Sequence, residues 1–189
     1  MTAEPEPRRH LLVTDTRTVY ENRWMRLRED QTLLPDGSPG IYAVVEKAPA
    51  AVILPCDGEH VWLVEQYRHP VGEMFWELPQ GAWDDVPDAA PEELARGELV
   101  EETGLRAGKM ERLGRMFFAY GISDQRFDVW LATELTEGEQ QLEVTEQGLE
   151  VGKFTLAEVD DMVLDGRIGD AASVAALGLL RLRQDRSGG

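Results

Sequence analysis

Cysteine is almost missing from this 189-residue chain: Cys56 stands alone, so no disulfide can form within it and it is not a disulfide-stapled scaffold. At the end of the apolar run AAVILPC, Cys56 reads as a packing residue ahead of a reactive thiol. Positive charge is scarce as well. Nineteen Lys and Arg face 36 Asp and Glu, a formal charge of -17, which argues against a nucleic-acid backbone or an anionic membrane as partner. An anionic substrate would have to be met by metal ions or local arginines. No run of about 18 apolar residues is present to span a bilayer. The N-terminal arginines are not followed by the apolar core of a secretory signal, so a cytoplasmic location is the default expectation. Internal repeats are lacking too. What remains, 42% hydrophobic and 29% charged residues, is the composition of a soluble globular protein, with length for one domain and a modest extension.

Residues 1–9 and 185–189 are polar or small and read as disordered tails. Residues 10–48 alternate β-branched, aromatic and polar residues around the turn signal PDGSPG, which predicts an N-terminal sheet. The runs AAVILPC and VWLVEQYR, separated by DGEH, predict two buried strands joined as a hairpin. Pro91 suits the first position of a helix, where its missing N–H costs nothing, and Gly104 suits a left-handed stop. A helix is therefore expected over 91–103, with Leu94, Ala95 and Leu99 toward the core. Strands are expected in MERLGRMFFAY and RFDVWLATEL, flanking the loop GISDQ, and in LEVGKF. Thr155 with Glu158 forms a capping box for a helix over 156–165, and Asp170 can cap a last helix. Strands, an inserted helix, further strands and closing helices make a mixed α/β (α+β) domain, with helices packed on a largely non-parallel sheet.

Acid is concentrated in LPQGAWDDVPDAAPEELARGELVEETGL. Glu98, Glu101 and Glu102 share one helix face because residues three and four apart are neighbours. Such a stripe is either a solvated acidic surface or a ligand set for a hard cation such as Mg²⁺ or Mn²⁺, which takes one or two carboxylates together with substrate phosphates.

The stretch 81–105 resembles the signature of the Nudix hydrolases, in which a glycine and a glutamate precede the run Arg-Glu-apolar-x-Glu-Glu-x-Gly-apolar. Gly81, Glu98, Leu99, Glu101, Glu102, Gly104 and Leu105 match it. Two departures stand out. Gly81 lies two residues farther upstream than the family spacing, with neither Asp88 nor Ala89 reproducing the first glutamate. Gly97 occupies the arginine position, with Arg96 displaced by one residue, a turn of about 100° on a helix. The segments VWLVEQYRHPVGEMFWELPQG and LDGRIGDAASVAALGLL are similar to those of ADP-ribose and other nucleotide-sugar pyrophosphatases within the family.

That resemblance implies a Nudix-like mixed sheet between helices over 49–184, an N-terminal antiparallel extension over 10–48 used for dimerisation, and a homodimer. It implies Mg²⁺- or Mn²⁺-dependent hydrolysis of a nucleoside diphosphate linked to a small group, with no nucleic acid or membrane as partner. Metal ligands by resemblance are Glu98, Glu101, Glu102 and the carbonyl of Gln80, with Glu98 also catalytic. Arg68 and Glu77 inherit substrate-binding roles, against the alternative of a surface arginine paired with Glu65 or Glu73. The general base is assigned to Glu146, with Glu143 second, and Asp124 and Gln125 lie where relatives often carry an acid. Trp24, Trp76 and Trp83 offer stacking faces for adenine or serve as core. A non-catalytic nucleotide-binding sensor, with Gly97 as the mark of lost catalysis, is the rival reading. A second alternative changes the linked group to a diadenosine polyphosphate, NADH or coenzyme A.

Overall fold

The computed structural model describes residues 11–82, 90–142 and 147–187, and these divide into two compact units. The first unit, residues 11–48 with 119–125 among those described, holds a three-stranded antiparallel sheet in the order β1(Leu12–Glu21), β2(Arg26–Leu33), β3(Pro39–Glu46). Its turns are built from local polar chemistry. The Asn22 side chain accepts the N–H groups of Trp24 and Met25 at 2.9 and 3.0 Å. Asp36 accepts that of Ser38 at 2.9 Å, while Gly37 takes a φ of 81° that side chains with a Cβ avoid. Residues 119–125 join this sheet through Val45, whose N–H donates to Ile122 and whose carbonyl accepts from Asp124.

The second unit holds two sheets and three helices. One sheet runs in the order β7(Gln80–Gly81), β4(Ala50–Pro55), β9(Arg126–Thr136), β8(Arg106–Phe117), and the other in the order β10(Glu150–Thr155), β5(His60–Arg68), β6(Glu73–Glu77). The hairpin expected between β4 and β5 does not form. Only an isolated Cys56–Val61 bridge joins them, because β4 pairs in parallel with β9 over six positions and β5 pairs with β10 and β6. All six residues of β4 are buried, as expected of a central strand covered on both faces.

Helix α1(Pro91–Thr103) covers one face of the first sheet, where Leu94, Ala95 and Leu99 pack with Ala51, Ile53, Trp130 and Ala132. Helix α3(Ala171–Ser187) lies on the other, against β4 and β8, while α2(Leu156–Leu164) rests on β10 and β5 of the second sheet; Val159, Met162, Ala176 and Leu180 join Val52, Leu54 and Val129 in one core. The capping signals act as the sequence predicts. Gly104 closes α1 in the left-handed region at φ 72°, and Thr155 and Glu158 form a reciprocal capping box on α2. Helix α3 continues through Ser187, so residues 185–187 are helix where a tail was expected. Among the described residues no helix is long and apolar enough to cross a membrane.

Candidate active site

The short stretch 77–81 is held on three sides. The N–H of Leu78 donates to Ser173 Oγ at 2.8 Å, the carbonyl of Pro79 accepts from Ile53 at 2.8 Å, and Gln80 and Gly81 pair with Val52 and Ala51. Helix α1 supplies the remaining side. Glu98 and Glu102 are four residues apart, hence on one face, and both are buried at 5% and 1% exposure. The N–H of Gln80 donates to Glu102 Oε2 at 3.0 Å. Gly81 lies so close to Glu98 that an added Cβ would fall on its carboxylate, 2.6 Å from Oε1. The glycine thus lets the backbone approach the acid stripe.

Beside this contact sits a buried ion pair. Glu77, 2% exposed, accepts from Arg68 Nε at 3.1 Å and from its Nη2, and from Gln66 Nε2 at 2.7 Å. Burial raises the Glu77 pKa and Arg68 pulls against that rise. Burial also works to lower the Arg68 pKa, but the bond and charge of Glu77, backed by Glu102 and Asp170, raise it. Arg68 is therefore a permanent cation facing the acid cluster, paired with Glu77 rather than with Glu65 or Glu73. Sequence reading treated Asp170 only as a helix cap. Its Oδ2 does accept the N–H and Oγ–H of Ser173, at 2.7 Å each, but it also accepts Gln80 Nε2 at 3.1 Å. Gln80 is gripped from α1 through its backbone and, through its side chain, from the residue that caps α3.

Glu101 is half-buried, and its carbonyl accepts from the N–H of Gln141 at 3.0 Å. Gln140 Nε2 donates to the carbonyl of Glu102 at 2.6 Å, so the chain at 140–141 is tied to the end of α1. Glu143 and Glu146, which follow, lie outside the described residues, as do Trp83 and Asp88. Arg96 does not replace the arginine missing at Gly97: it bonds Glu92 at 3.0 Å and the carbonyl of Ala107 at 2.7 Å. In the first unit, Asp124 and Gln125 bond the backbone of Lys47 and Ala48. Trp24 is half exposed there, with Arg23 over its ring. Trp76 packs edge-on to Phe154 and against the core, which favours its core reading.

The donors on α1 are carboxylate oxygens facing a strand that bears carbonyls, chemistry suited to a hard divalent cation. Among the described residues no three acidic, histidine or cysteine side chains converge tightly enough to hold an ion. Glu98 and Glu102 beside Gln80 and Gly81 are oxygen donors of the kind a hard cation takes one or two of, completing its shell from water and substrate phosphate.

Comparison with known proteins agrees with this geometry. Residues 46–177 match the profile of the NUDIX domain, and residues 13–45 that of the nucleoside diphosphate sugar hydrolase N-terminal domain. The chain is 35% identical over 162 residues to an ADP-ribose pyrophosphatase of Mycobacterium tuberculosis, covering 85% of this chain and 78% of that protein. It is 27% identical over 168 residues to an ADP-ribose pyrophosphatase of Bacillus subtilis, covering 88% and 90% respectively. A solved structure described as an ADP compounds hydrolase superposes with a TM-score of 0.84 at 21% identity, over 97% of this chain and 99% of its own, which speaks to the fold.

Proposed function

Because the chain belongs to the Nudix family of hydrolases, we propose that it cleaves the diphosphate bond of ADP-ribose or a related nucleoside diphosphate sugar with the help of Mg²⁺ or Mn²⁺. The products would be a nucleoside monophosphate and a sugar phosphate. The observation that carries this reading is the seating of Gln80 and Gly81 against Glu102 and Glu98, which sets two buried carboxylates against the backbone of one short strand. Glu98 and Glu102 would hold one cation, and Glu101 and the Gln80 carbonyl would be donors once substrate and a further ion complete the site. A bound divalent cation polarises the diphosphate and lowers the pKa of attacking water. Arg68 keeps N–H groups beyond those bonded to Glu77, since a guanidinium has five, and these suit a substrate phosphate. Glu77 positions that guanidinium. Glu146 remains the candidate to accept the proton of the attacking water.

The direct test is release of AMP from ADP-ribose. Turnover is expected with Mg²⁺ or Mn²⁺, with loss on chelation and recovery when the cation is restored. A protein that releases no AMP from ADP-ribose or from a panel of nucleotide sugars, with either cation, is not the enzyme described here.

A homodimer is part of the same proposal. All ten residues of the edge strand β1 are exposed, among them Val13, Val19 and Tyr20, and an unpaired edge of that length is a ready template for a second chain. Light scattering is expected to report twice the 21.2 kDa chain mass, and Val19→Asp should shift the protein toward the single mass. A wild-type chain that scatters as a monomer at micromolar concentration would remove the dimer from the proposal.

A further inference from the structure

Away from the carboxylate stripe, one buried acid is held by two arginines. Asp128, 6% exposed, accepts from Arg112 Nε at 2.7 Å and from Arg115 Nε and Nη2 at 3.0 and 2.8 Å. Three positions apart on a regular strand, Arg112 and Arg115 would point to opposite faces. The register of β8 shifts between Arg112 and Gly114, so that Arg112 lies opposite Trp130 and Arg115 opposite Asp128. This bulge brings both arginines to one face, the re-aiming that bulges accomplish beside functional sites.

That face is the one α1 covers. Partners in register run Gly81, Ala51, Asp128, Arg115 across the sheet, and Ala51 and Trp130 both pack against α1. Directly paired residues share a face, so the arginine pair stands on the side where Glu98 meets Gly81. Adjacent strands are about 4.8 Å apart, which places Asp128 about 10 Å across the sheet from Gly81. A nucleoside diphosphate sugar can span that gap. One carboxylate cannot neutralise two guanidiniums, and the arginine side chains remain 44% and 41% exposed, with N–H groups left over. In a chain of formal charge -17, a net positive pair at this place calls for an anionic ligand.

We propose that Arg112 and Arg115, oriented by Asp128, form a subsite for a phosphate that the substrate carries in addition to its diphosphate. The inference rests on the hydrolase reading and narrows it to nucleoside diphosphate sugars bearing a further phosphate, on the nucleoside ribose or on the linked sugar. Planar guanidinium forks match phosphate oxygens well.

The test is binding to metal-free protein in chelator, where no turnover intervenes. Calorimetry compares ADP-ribose with ADP-ribose phosphorylated on the adenosine ribose and with ADP-ribose phosphorylated on the terminal ribose. Wild type is expected to bind one of the two phosphorylated compounds about tenfold tighter than ADP-ribose, and which one identifies the end that reaches the pair. Removing the arginines alone would strand the Asp128 charge, so the informative variant is R112Q/R115Q/D128N, in which the preference should fall to within about twofold. R112K/R115K keeps the charge without the fork and should show an intermediate preference. A wild-type preference near one for both compounds, or a preference that survives in the triple variant, overturns the subsite. AMP release from ADP-ribose is scored separately: cleavage without the preference sinks the subsite alone, and the preference without cleavage sinks the hydrolase reading alone.

Discussion

Glu102→Gln is expected to lower AMP release from ADP-ribose by at least about 10³-fold while leaving the fold intact. The substitution keeps the shape of the side chain, and the amide oxygen can still accept the N–H of Gln80 that Glu102 Oε2 accepts at 3.0 Å. The negative charge needed to hold a divalent cation is what disappears. Stability should not suffer, because Glu98 and Glu102 are like charges at a spacing that destabilises a helix by a few tenths of a kcal/mol. Melting curves of the metal-free proteins are expected to coincide or to favour the variant slightly. Turnover within tenfold of wild type at saturating Mg²⁺ would show that Glu102 is no ligand and that its buried carboxylate serves to hold the backbone of Gln80.

Gly81→Ala reaches the same site from the opposite wall and should separate activity from stability just as sharply. A Cβ at position 81 lands on the carboxylate of Glu98, and Gly81 is tied by its strand pairing with Ala51. The flexible end of Glu98 is what yields, by rotating away, at about 0.5–1.5 kcal/mol of rotamer strain. That displaces a proposed metal ligand, and misplacement of about 1 Å at such a position costs about 10²-fold in rate. The expected outcome is a protein that melts within a few degrees of wild type and turns over about 10²-fold more slowly. If kcat is unchanged and only the melting temperature falls, the close approach of Gly81 serves packing and Glu98 does its work elsewhere.

Much of the helical layer was readable residue by residue. Pro91, Gly104, Thr155 with Glu158, and Asp170 act on backbone groups within a few positions of themselves, so capping chemistry is written locally. The acid stripe was readable for the same reason, since a fixed helical period sets which glutamates share a face. Strand pairing was not. The runs that become β4 and β5 are both apolar and separated by a turn signal, which describes a hairpin as well as two strands of different sheets. The choice fell to β9, β10 and β6, which arrive from elsewhere in the chain. The register of β5 with β6 sets Arg68 opposite Glu73 and Val64 opposite Glu77, yet the guanidinium reaches along the strand to the buried Glu77, and no pattern in the sequence announces it.

The sequence by itself determined the family-like acid signature, the bounds of α1, the start of α2, the glycine that stops α1, and a strongly acidic net charge. Tertiary structure alone decided that Gln80 is gripped by Glu102 and Asp170, that Arg96 turns to Glu92 and Ala107, and that Arg112 and Arg115 share a face around Asp128. The reason is physical. Caps and helical periods are set by interactions within one or two turns, whereas a bulge or a cross-strand partner is set by where distant segments find room to bury their apolar faces. One residue of register there reverses which side every later side chain occupies.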